Sequence, residues 1–505
     1  MRRRVFLLRT AASVAALGAA GIGAAGIVSD ALRPRVVPQP RNPIADENAL
    51  PGTTAWRITK LAQRREIEGY ASAASVPLGG MIDLSVSTSI PKSYQIEFFR
   101  IGWYGGLGGR LMAPDGVAGA IGPLSGEPEA TPVVGPGPDY LIEARWPVAY
   151  TLKVPTTWTS GYYVAKLTRE DGFERYIIFV VRDPHSTAPI LMQASITTWQ
   201  AYNDWGGKSL YRSVDFDTAS PKFGTQTGGD PTRAGVASFD RPYQTSHESD
   251  GAGEFFVWEA NMVRWLEREG YHVTYATDLE LHSDPNLLRG RTAYLSVGHD
   301  EYWSNEMRLN VTLARDDGVH LGFFGSNAMY WRITFAPNSA GIANRRVVCY
   351  KDKDRDMTTV RWRDQLRPEN SILGVMHSGV LSTDFVVLDP SHWIFEGSGF
   401  AAGDRVKNLV GYEYDRTFAN GFTPPGLKVI ARSVVADDIA ETALYEAPSK
   451  AIVFTAGTNF WSWGIDAYRH DALPPFPKIA SHPGIERATK NIVDRMLTPA
   501  VQARR

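Results

Sequence analysis

The chain has 505 residues, more than one hydrophobic core usually serves, so we expect two or three domains. Its 53 Lys and Arg nearly balance its 54 Asp and Glu, so there is no basic surplus indicating a nucleic-acid partner. Cys349 is the only cysteine, which excludes an internal disulfide bond and a metal cluster held by several cysteines.

Residues 1–28 have the pattern of an export leader. Twin arginines are followed after one residue by Phe6 and Leu7, and the weakly hydrophobic run "AASVAALGAAGIGAAGIV" comes next. This pattern is typical of a bacterial twin-arginine signal and predicts a periplasmic or secreted protein. An ordinary secretory leader or a single membrane anchor is the alternative. Because no clean small-residue cleavage site follows, membrane tethering stays open.

The next two segments predict a linker and a first domain. Residues 29–53 are rich in proline and lack periodicity, which indicates an extended linker. Residues 54–183 contain short alternating segments separated by Gly and Pro, such as "MIDLSVSTS", "YQIEFFRIGWY" and "RYIIFVVRD". Their spacing predicts an immunoglobulin-like β-sandwich, a module that usually supports a neighbouring domain.

From residue 184 strands alternate with helices. "PILMQAS" is a continuous apolar run, typical of a strand buried on both faces. "GEFFVWEANMVRWLEREG" has the helical spacing of Phe255, Glu259, Met262 and Leu266, and it ends at Gly270. The strands "HVTYATD", "TAYLSV" and "HLGFFGS" follow, with a helix within "SNEMRLNVTLARDDG". The alternation predicts an α/β domain built on a parallel sheet.

We expect this α/β domain to extend from 184 to 497. A β-rich insertion is predicted at about 340–450, where strand signals are irregular. The strand "AIVFTAG" and the helix "GIERATKNIVDRML" then complete the domain, and residues 498–505 form a tail.

Three loops rich in polar and aromatic residues follow three of these predicted strands. Along the chain they carry Trp199 with Tyr202, His299 with Glu301, and Asn327. In open α/β sheets ligands bind beyond the carboxyl ends of the strands, so these loops are expected to converge. The sequence therefore predicts a site at this edge of the sheet.

The residues themselves favour a metal over a nucleophile. Ser326 follows a strand but lacks the second Gly of the nucleophile elbow, and Cys349 lies in an apolar run. "HDE" lacks the His pair of zinc proteases. Glu301 together with tyrosine oxygens would form an anionic, oxygen-only ligand set. Such a set favours a hard cation, and ferric iron is the natural partner of phenolates.

Six segments carry a family resemblance. They are, in order, "WQAYNDWGGKSLY", "SFDRPY", "GHDEYWS", "FGSNAMYWR", "GYEYD" and "GTNFWSWG". The sequence resembles the large (β) subunit of N,N-dimethylformamidase over most of 184–497, and more loosely over the preceding sandwich. The resemblance implies a catalytic domain with a glutamine-amidotransferase-like fold. It also implies a mononuclear iron, Fe(III), bound by two tyrosinates and one glutamate.

The resemblance assigns roles to six residues. Tyr202, Tyr243 and Glu301 correspond to the metal ligands. The supporting polar residues correspond to His299 and Asn327, and Glu413 is the candidate for a further catalytic carboxylate. For each of these residues the alternative is a structural role, as a packing aromatic or in a hydrogen bond or salt bridge.

The expected function is that of an exported, iron-dependent hydrolase that cleaves an amide-type C–N bond in a small molecule. An exported carbohydrate-active or glycan-binding protein without a functional metal site is the first alternative. A non-catalytic scaffold is the second. The sequence leaves open the substrate, the oligomeric state, including a homo-oligomer, and a small partner subunit of the kind that dimethylformamidases have.

Overall fold

The computed structural model describes residues 41–114, 116, 119–214, 230–244, 250–354, 356–469 and 476–499. The predicted leader and residues 500–505 of the predicted tail lie outside the described residues. From Asn42 onward the chain forms one compact unit. In the described part of the chain, no helix is both long enough and apolar enough to cross a membrane.

The first part of the described chain contains one helix and nine strands. They are α1 (Pro43–Asn48), β1 (Ile67–Ala71), β2 (Ser75–Pro77), β3 (Met81–Thr88), β4 (Lys92–Ile101), β5 (Gly109–Met112), β6 (Ile121–Gly126), β7 (Tyr150–Lys153), β8 (Gly161–Arg169) and β9 (Glu174–Arg182). The strands form a three-stranded sheet, β1-β3-β7, and a second sheet, β2-β9-β8-β4-β5, with β6 paired to β4. Both sheets pack on one hydrophobic cluster that includes Leu84, Ile96, Leu152 and Phe179. The immunoglobulin-like classification of this region stays a prediction.

Part of the predicted linker is helical rather than extended. Asn42 accepts hydrogen bonds from the backbone N–H groups of Ile44 and Ala45, and Pro43 occupies the first turn of α1. An Asn cap followed by Pro is a helix-start signal, which explains why the segment does not continue as an extended chain. The Glu47 carboxylate in α1 is buried and accepts a hydrogen bond from the Arg110 guanidinium at 2.6 Å.

The remaining elements complete the chain. The helices are α2 (Ile196–Tyr202), α3 (Phe255–Trp258), α4 (Ala260–Arg268), α5 (Asp278–Ser283), α6 (Asn305–Asp316), α7 (Asn370–Leu373) and α8 (Pro483–Met496). The strands are β10 (Ile190–Ala194), β11 (Val236–Ser238), β12 (Val273–Thr277), β13 (Ala293–His299), β14 (Tyr302–Ser304), β15 (His320–Ser326), β16 (Trp331–Ala336), β17 (Arg346–Val348), β18 (Met376–Val380), β19 (Thr383–Val386), β20 (Arg405–Val410), β21 (Glu413–Arg416), β22 (Lys428–Val435), β23 (Asp438–Glu446) and β24 (Ile452–Thr455). Single turns of 3₁₀ helix lie at Tyr104–Gly106, Trp205–Gly207, Lys351–Lys353, Trp362–Gln365, Trp393–Phe395 and Trp461–Gly464.

A seven-stranded sheet forms the centre of this region, in the order β12-β10-β13-β15-β24-β23-β22. Its first five strands are parallel, and β23 and β22 continue it in antiparallel pairing. The parallel strands are the apolar runs of the sequence, and β10, β13 and β15 are buried along their whole length. The parallel sheet agrees with the prediction for this region, while the glutamine-amidotransferase-like assignment stays a prediction.

The region predicted as an insertion has two structural roles. Strands β22 and β23 extend the edge of the central sheet, whereas β18 to β21 form two small two-stranded sheets beside it. In one of these, β21 pairs with β18 and places Glu413 opposite Val380. The segment therefore contributes both to the central fold and to the surroundings of the predicted site.

Helices form where the apolar periodicity indicates them, with one break. The predicted helix at 255–268 divides at Glu259 into α3 and α4. Gly270 follows α4 with φ +75°, the left-handed conformation expected of a helix-ending glycine.

A buried ion pair links the two sheets of the first part to the helices around the central sheet. Arg100 on β4 donates two hydrogen bonds to the Glu267 carboxylate on α4, at 2.6 and 3.0 Å. Neither side chain is exposed. Tyr275 of β12 also donates to Glu267, at 3.0 Å, so the pair lies inside a continuous polar network rather than at a surface.

Candidate functional site

The candidate site lies beyond the carboxyl ends of three adjacent strands. Strand β13 ends at His299 and leads to Glu301, β15 leads to Asn327, and the loop after β24 carries Asn459. Because these strands are parallel neighbours, their carboxyl ends meet at one edge of the sheet. Two of these loops, after β13 and β15, were predicted to converge, and the third predicted loop, after β10, also reaches the site because Tyr202 donates to Glu301. The loop that carries Asn459 was not predicted.

Glu301 is buried between two tyrosine hydroxyls. Tyr202, the last residue of α2, donates to Oε2 of Glu301 at 2.8 Å. Tyr211 lies 2.7 and 2.6 Å from the two carboxylate oxygens. The two phenol oxygens are themselves 3.0 Å apart. Helix α2 also holds the loop, because the backbone N–H of Glu301 donates to the Thr198 hydroxyl at 2.9 Å.

Tyr211 is a residue that the sequence reasoning missed. It follows no predicted strand, so the rule that locates sites at strand ends does not select it. Its signal was nevertheless present, because Tyr211 is the last residue of the segment "WQAYNDWGGKSLY" that carries the family resemblance.

His299 is adjacent to three carboxylates, one of which, Glu254, lies 4.0 Å from its Nδ1 atom. Its Nε2 atom is 2.9 Å from Oε2 of Glu413 and 3.6 Å from Oε2 of Glu301. The Asn327 side-chain amide donates to the same Glu413 oxygen at 3.1 Å. All five side chains are buried, and His299 is within hydrogen-bonding distance of Glu413, so this pair can exchange a proton away from bulk water.

The charges of His299 and Glu413 shift the pKa values of these two residues in opposite directions. Burial by itself would raise the pKa of Glu413, but the adjacent His299 imidazolium outweighs it and lowers the pKa to about 2. Burial would likewise lower the pKa of His299, yet Glu413 raises it to about 9. Burial raises the pKa of Glu301, although His299 offsets part of the effect. The group therefore favours a charged His299–Glu413 pair beside a more weakly acidic Glu301.

Asn327 is fixed from its backbone as well as from its side chain. It has a left-handed conformation, with φ +54°, immediately after β15. Its backbone N–H donates to Oδ1 of Asp415 at 2.9 Å, while its side-chain amide donates to Glu413. Since Glu413 and Asp415 are two residues apart on β21, both point to the same face of the strand and hold Asn327 together.

Tyr243 contacts the helix that ends in Tyr202. Its ring packs edge-on against Trp199, with centroids 6.4 Å apart, and it borders a small cavity together with Phe239, Arg241 and Arg345. The assignment of Tyr243 as a metal ligand stays a prediction drawn from the resemblance.

A match to a protein-family model shows which family the chain belongs to. Residues 95–473 match the model of the N,N-dimethylformamidase beta subunit-like family, C-terminal region. The chain belongs to this family. A search of curated proteins gives no match. Membership identifies a dimethylformamidase-like hydrolase, and the match includes all six predicted site residues.

Lys351 adds a buried cation to this dimethylformamidase-like site. Its Nζ lies 3.4 Å from the ring centroid of Tyr211 and 4.8 Å from that of Trp331. Burial lowers the pKa of Lys351 to about 8, although Cys349 and Glu301 act in the opposite direction. The ammonium group thus places positive charge behind the phenol that contacts Glu301.

Aromatic rings surround His299. The ring centroid of Tyr202 lies 5.2 Å from that of His299, and those of Tyr412 and Trp258 lie at 6.1 and 6.3 Å. Trp258 also stacks on Tyr412 at 5.8 Å. This apolar wall lowers the local polarity beside the charged group and strengthens its electrostatic interactions.

The chemistry of the available donors fits the hard metal ion that the sequence resemblance predicts. Within the described residues, no group of three or more His, Cys, Asp or Glu side chains is placed to hold a metal ion. A metal here would therefore depend on tyrosine oxygens. Tyr202, Tyr211 and Glu301 offer such a set, all oxygen and all buried, which suits a trivalent cation better than a soft one.

The rejected nucleophiles have structural roles in this region. The Ser326 hydroxyl donates to the carbonyl of Glu413 at 2.9 Å and to Asn459 at 2.5 Å, so its hydrogen bonds hold the backbone of the site. Cys349 is fully buried, and burial raises the pKa of its thiol to about 12. Neither residue has the contact with a base that an activated nucleophile needs.

Proposed function

We propose that this protein is an iron-dependent amide hydrolase that cleaves the C–N bond of a small, uncharged amide. Residues 1–28 would direct its export. The observation that carries the proposal is the buried Glu301 carboxylate. It is held by the Tyr202 and Tyr211 hydroxyls and lies 3.6 Å from His299. Family membership supports the reaction class, since the family is named for an amide hydrolase.

The ferric ion would be held by Tyr202, Glu301 and, by resemblance, Tyr243. Tyr211 is an additional candidate, because its hydroxyl is within 2.7 Å of both Glu301 oxygens. Bound there, ferric iron supplies Lewis acidity toward an amide carbonyl oxygen. The ferric ion and the neighbouring Lys351 ammonium would together balance the negative charges of Glu301 and the tyrosinates in the buried site.

The protein's own side chains would orient the amide and move protons. His299 and Glu413 form a charged pair 2.9 Å apart, in which the Glu413 carboxylate would take a proton from the attacking water and the His299 imidazolium would give one to the leaving amine. Asn327 has a second amide N–H beyond the one given to Glu413, and it can donate to the developing oxyanion. Loss of one such donor typically costs about 3–4 kcal/mol of transition-state stabilisation.

Two tryptophans of the loops that the glycan-binding alternative invokes are buried in the protein. Binding of polysaccharide by stacking needs exposed aromatic rings, whereas Trp199 and Trp303 are 1% and 0% exposed. Their indole groups instead donate hydrogen bonds within the protein, to Glu259 and to the carbonyl of Asp300.

The proposal is tested by metal content, the visible spectrum and hydrolysis of an amide panel. The panel would contain N,N-dimethylformamide, N-methylformamide, formamide and acetamide, with release of the amine or of ammonia as the readout. We expect about one iron per chain, a tyrosinate-to-iron absorption band and release of amine from at least one amide. Glu301→Ala should remove both iron and turnover.

Tyr445→Phe is the matched control for Tyr202→Phe. Tyr445 is also buried, but its hydroxyl donates to the carbonyl of Ile372 instead of to Glu301. Tyr202→Phe should lose iron and the absorption band, and Tyr445→Phe should keep both. Turnover that persists in folded Glu301→Ala, or a folded wild-type protein without iron, would contradict the proposal.

A further inference from the structure

The segment "GTNFWSWG" contributes to the family resemblance, yet none of the predicted catalytic roles falls within it. Its Asn459 lies in the loop after β24 and is completely buried. A buried primary amide is costly unless its donors and acceptor find partners, so the partners of Asn459 indicate its role.

Each hydrogen bond of the Asn459 side chain joins it to a segment that carries a predicted catalytic residue. Its Oδ1 accepts from the Ser326 hydroxyl at 2.5 Å and from the backbone N–H of Glu413 at 3.2 Å. Its Nδ2 donates to the carbonyl of Gly298 at 3.2 Å. Gly298 directly precedes His299, and Ser326 directly precedes Asn327.

We infer that Asn459 is the positioning residue that fixes His299, Asn327 and Glu413 relative to one another. His299 and Glu413 lie on β13 and β21, and Asn327 directly follows β15. These strands are remote in sequence, and the one amide group of Asn459 is hydrogen-bonded to all three segments. Asn459 itself touches none of the three catalytic side chains in these hydrogen bonds, so it acts through the backbone. The expected effect of Asn459 on catalysis rests on the proposed function. Its effect on the positions of the three side chains does not.

The chemistry of the amide explains why this residue type is needed. The site requires one acceptor that serves two donors and one donor that serves a carbonyl oxygen. An aspartate at this position could accept twice but could not donate to Gly298. An alanine would leave the Gly298 carbonyl and the Glu413 N–H without these partners, and a displacement of about 1 Å can lower a rate by about 100-fold.

The first measurement is a pair of crystal structures, of the wild-type protein and Asn459→Ala. We expect the His299–Glu413 and Asn327–Glu413 contacts, 2.9 and 3.1 Å in the structure, to lengthen beyond hydrogen-bonding distance in the variant. Unchanged contacts would overturn the inference whether or not the protein hydrolyses amides. If Asn459→Ala does not fold, Asn459→Asp and Ser326→Ala take its place. The same two distances then decide the question.

The second measurement is the rate of amine release from the most active amide of the panel. Asn459→Ala should lower kcat by about 100-fold and change KM by less than about threefold, because the residue does not contact the substrate. A kcat equal to that of the wild-type protein would overturn the inference.

Asn261→Ala is the matched control. Asn261 is equally buried, but its amide donates to the carbonyls of Asp466 and Tyr468. It should lower the midpoint of thermal unfolding by a similar amount and leave kcat within about twofold. Equal losses of kcat in both variants would assign Asn459 a general stabilising role and overturn the inference. If the wild-type protein hydrolyses none of the amides while the contacts lengthen in Asn459→Ala, the positioning role stands and the proposed function fails.

Discussion

The buried hydroxyls of Tyr202 and Tyr211 both form hydrogen bonds with Glu301, but the two residues differ in their other contacts. Tyr202 donates to one carboxylate oxygen, whereas Tyr211 contacts both and also carries the Lys351 ammonium on its ring. Tyr211→Phe would keep the ring and its contact with Lys351 but remove the hydroxyl. The variant therefore separates the contribution of the hydroxyl from that of packing.

We predict that Tyr211→Phe lowers iron affinity by about 10–100-fold, the usual effect of losing a group that holds a metal-bound carboxylate. Iron retained after dialysis against graded chelator concentrations would measure the change. The control is Tyr445→Phe, which should bind iron like the wild-type protein. Equal affinity in all three proteins would show that the Tyr211 hydroxyl does not contribute to metal binding.

At the scale of secondary-structure elements, two glycines let the end of β13 pack closely against α3 and against β15. Gly298 has φ +71°, and a Cβ atom there would lie 2.4 Å from Cβ of Trp258. A Cβ atom at Gly325 would lie 2.1 Å from the carbonyl oxygen of Gly298. Only glycine fits at these two paired positions, and this close approach sets where His299 enters the site.

Gly298→Ala should therefore unfold more easily and lose activity, whereas Gly270→Ala should have a small effect. Gly270 also has positive φ, +75°, but a Cβ atom there meets nothing within 4 Å. We expect a loss of about 1 kcal/mol in the free energy of unfolding for Gly270→Ala, from backbone strain alone. Gly298→Ala should lose several times as much, because the clash adds to the strain. Urea denaturation of the two variants would measure both values, and similar losses would contradict the steric argument.

The sequence predicted the central elements well because their signals are local. The apolar runs at 190–194 and 320–326 form β10 and β15, and the periodic segment at 260–268 forms α4. The place of Glu413 could not be derived in this way. It depends on the pairing of β21 with β18 and on the hydrogen bond to Asn327, both of which join segments that are remote in sequence.

The candidate site, too, could be predicted only where its residues follow predicted strands. His299, Glu301 and Asn327 follow strand ends and could be predicted from that position. Tyr211 and Lys351 follow no predicted strand. Only the folded chain brings Tyr211 to Glu301 and Lys351 to the ring of Tyr211. The family resemblance supplied roles for Tyr243 and Glu413, whereas composition and periodicity gave no reason to choose them.

At the scale of the whole molecule, the Arg100–Glu267 pair joins the first part of the chain to the part that carries the site. Both side chains are inaccessible to solvent, and Arg100 also donates to the carbonyl of Ser160 at 3.0 Å. Removal of one partner from a buried pair leaves the other charge uncompensated and costs about 3–5 kcal/mol.

We predict that Arg100→Met lowers the free energy of unfolding by about this amount, and that Arg100→Met/Glu267→Met recovers part of the loss. Urea denaturation followed by tryptophan fluorescence would measure both, with a single transition expected for each protein. A double variant whose loss equals the sum of the two single losses would show that the pair is not coupled.

The same buried pair limits how the chain can be divided. A fragment starting at residue 184 would present the Glu267 carboxylate and the Tyr275 hydroxyl to solvent without Arg100. A fragment ending at residue 183 would present the unpaired guanidinium. Each piece would also expose apolar side chains that the other covers, because one hydrophobic cluster contains Phe99 and Tyr162 of the first part together with Phe255 and Val273 of the second. The two parts are therefore expected to be inherited, synthesised and lost together rather than recombined with other partners as separate modules.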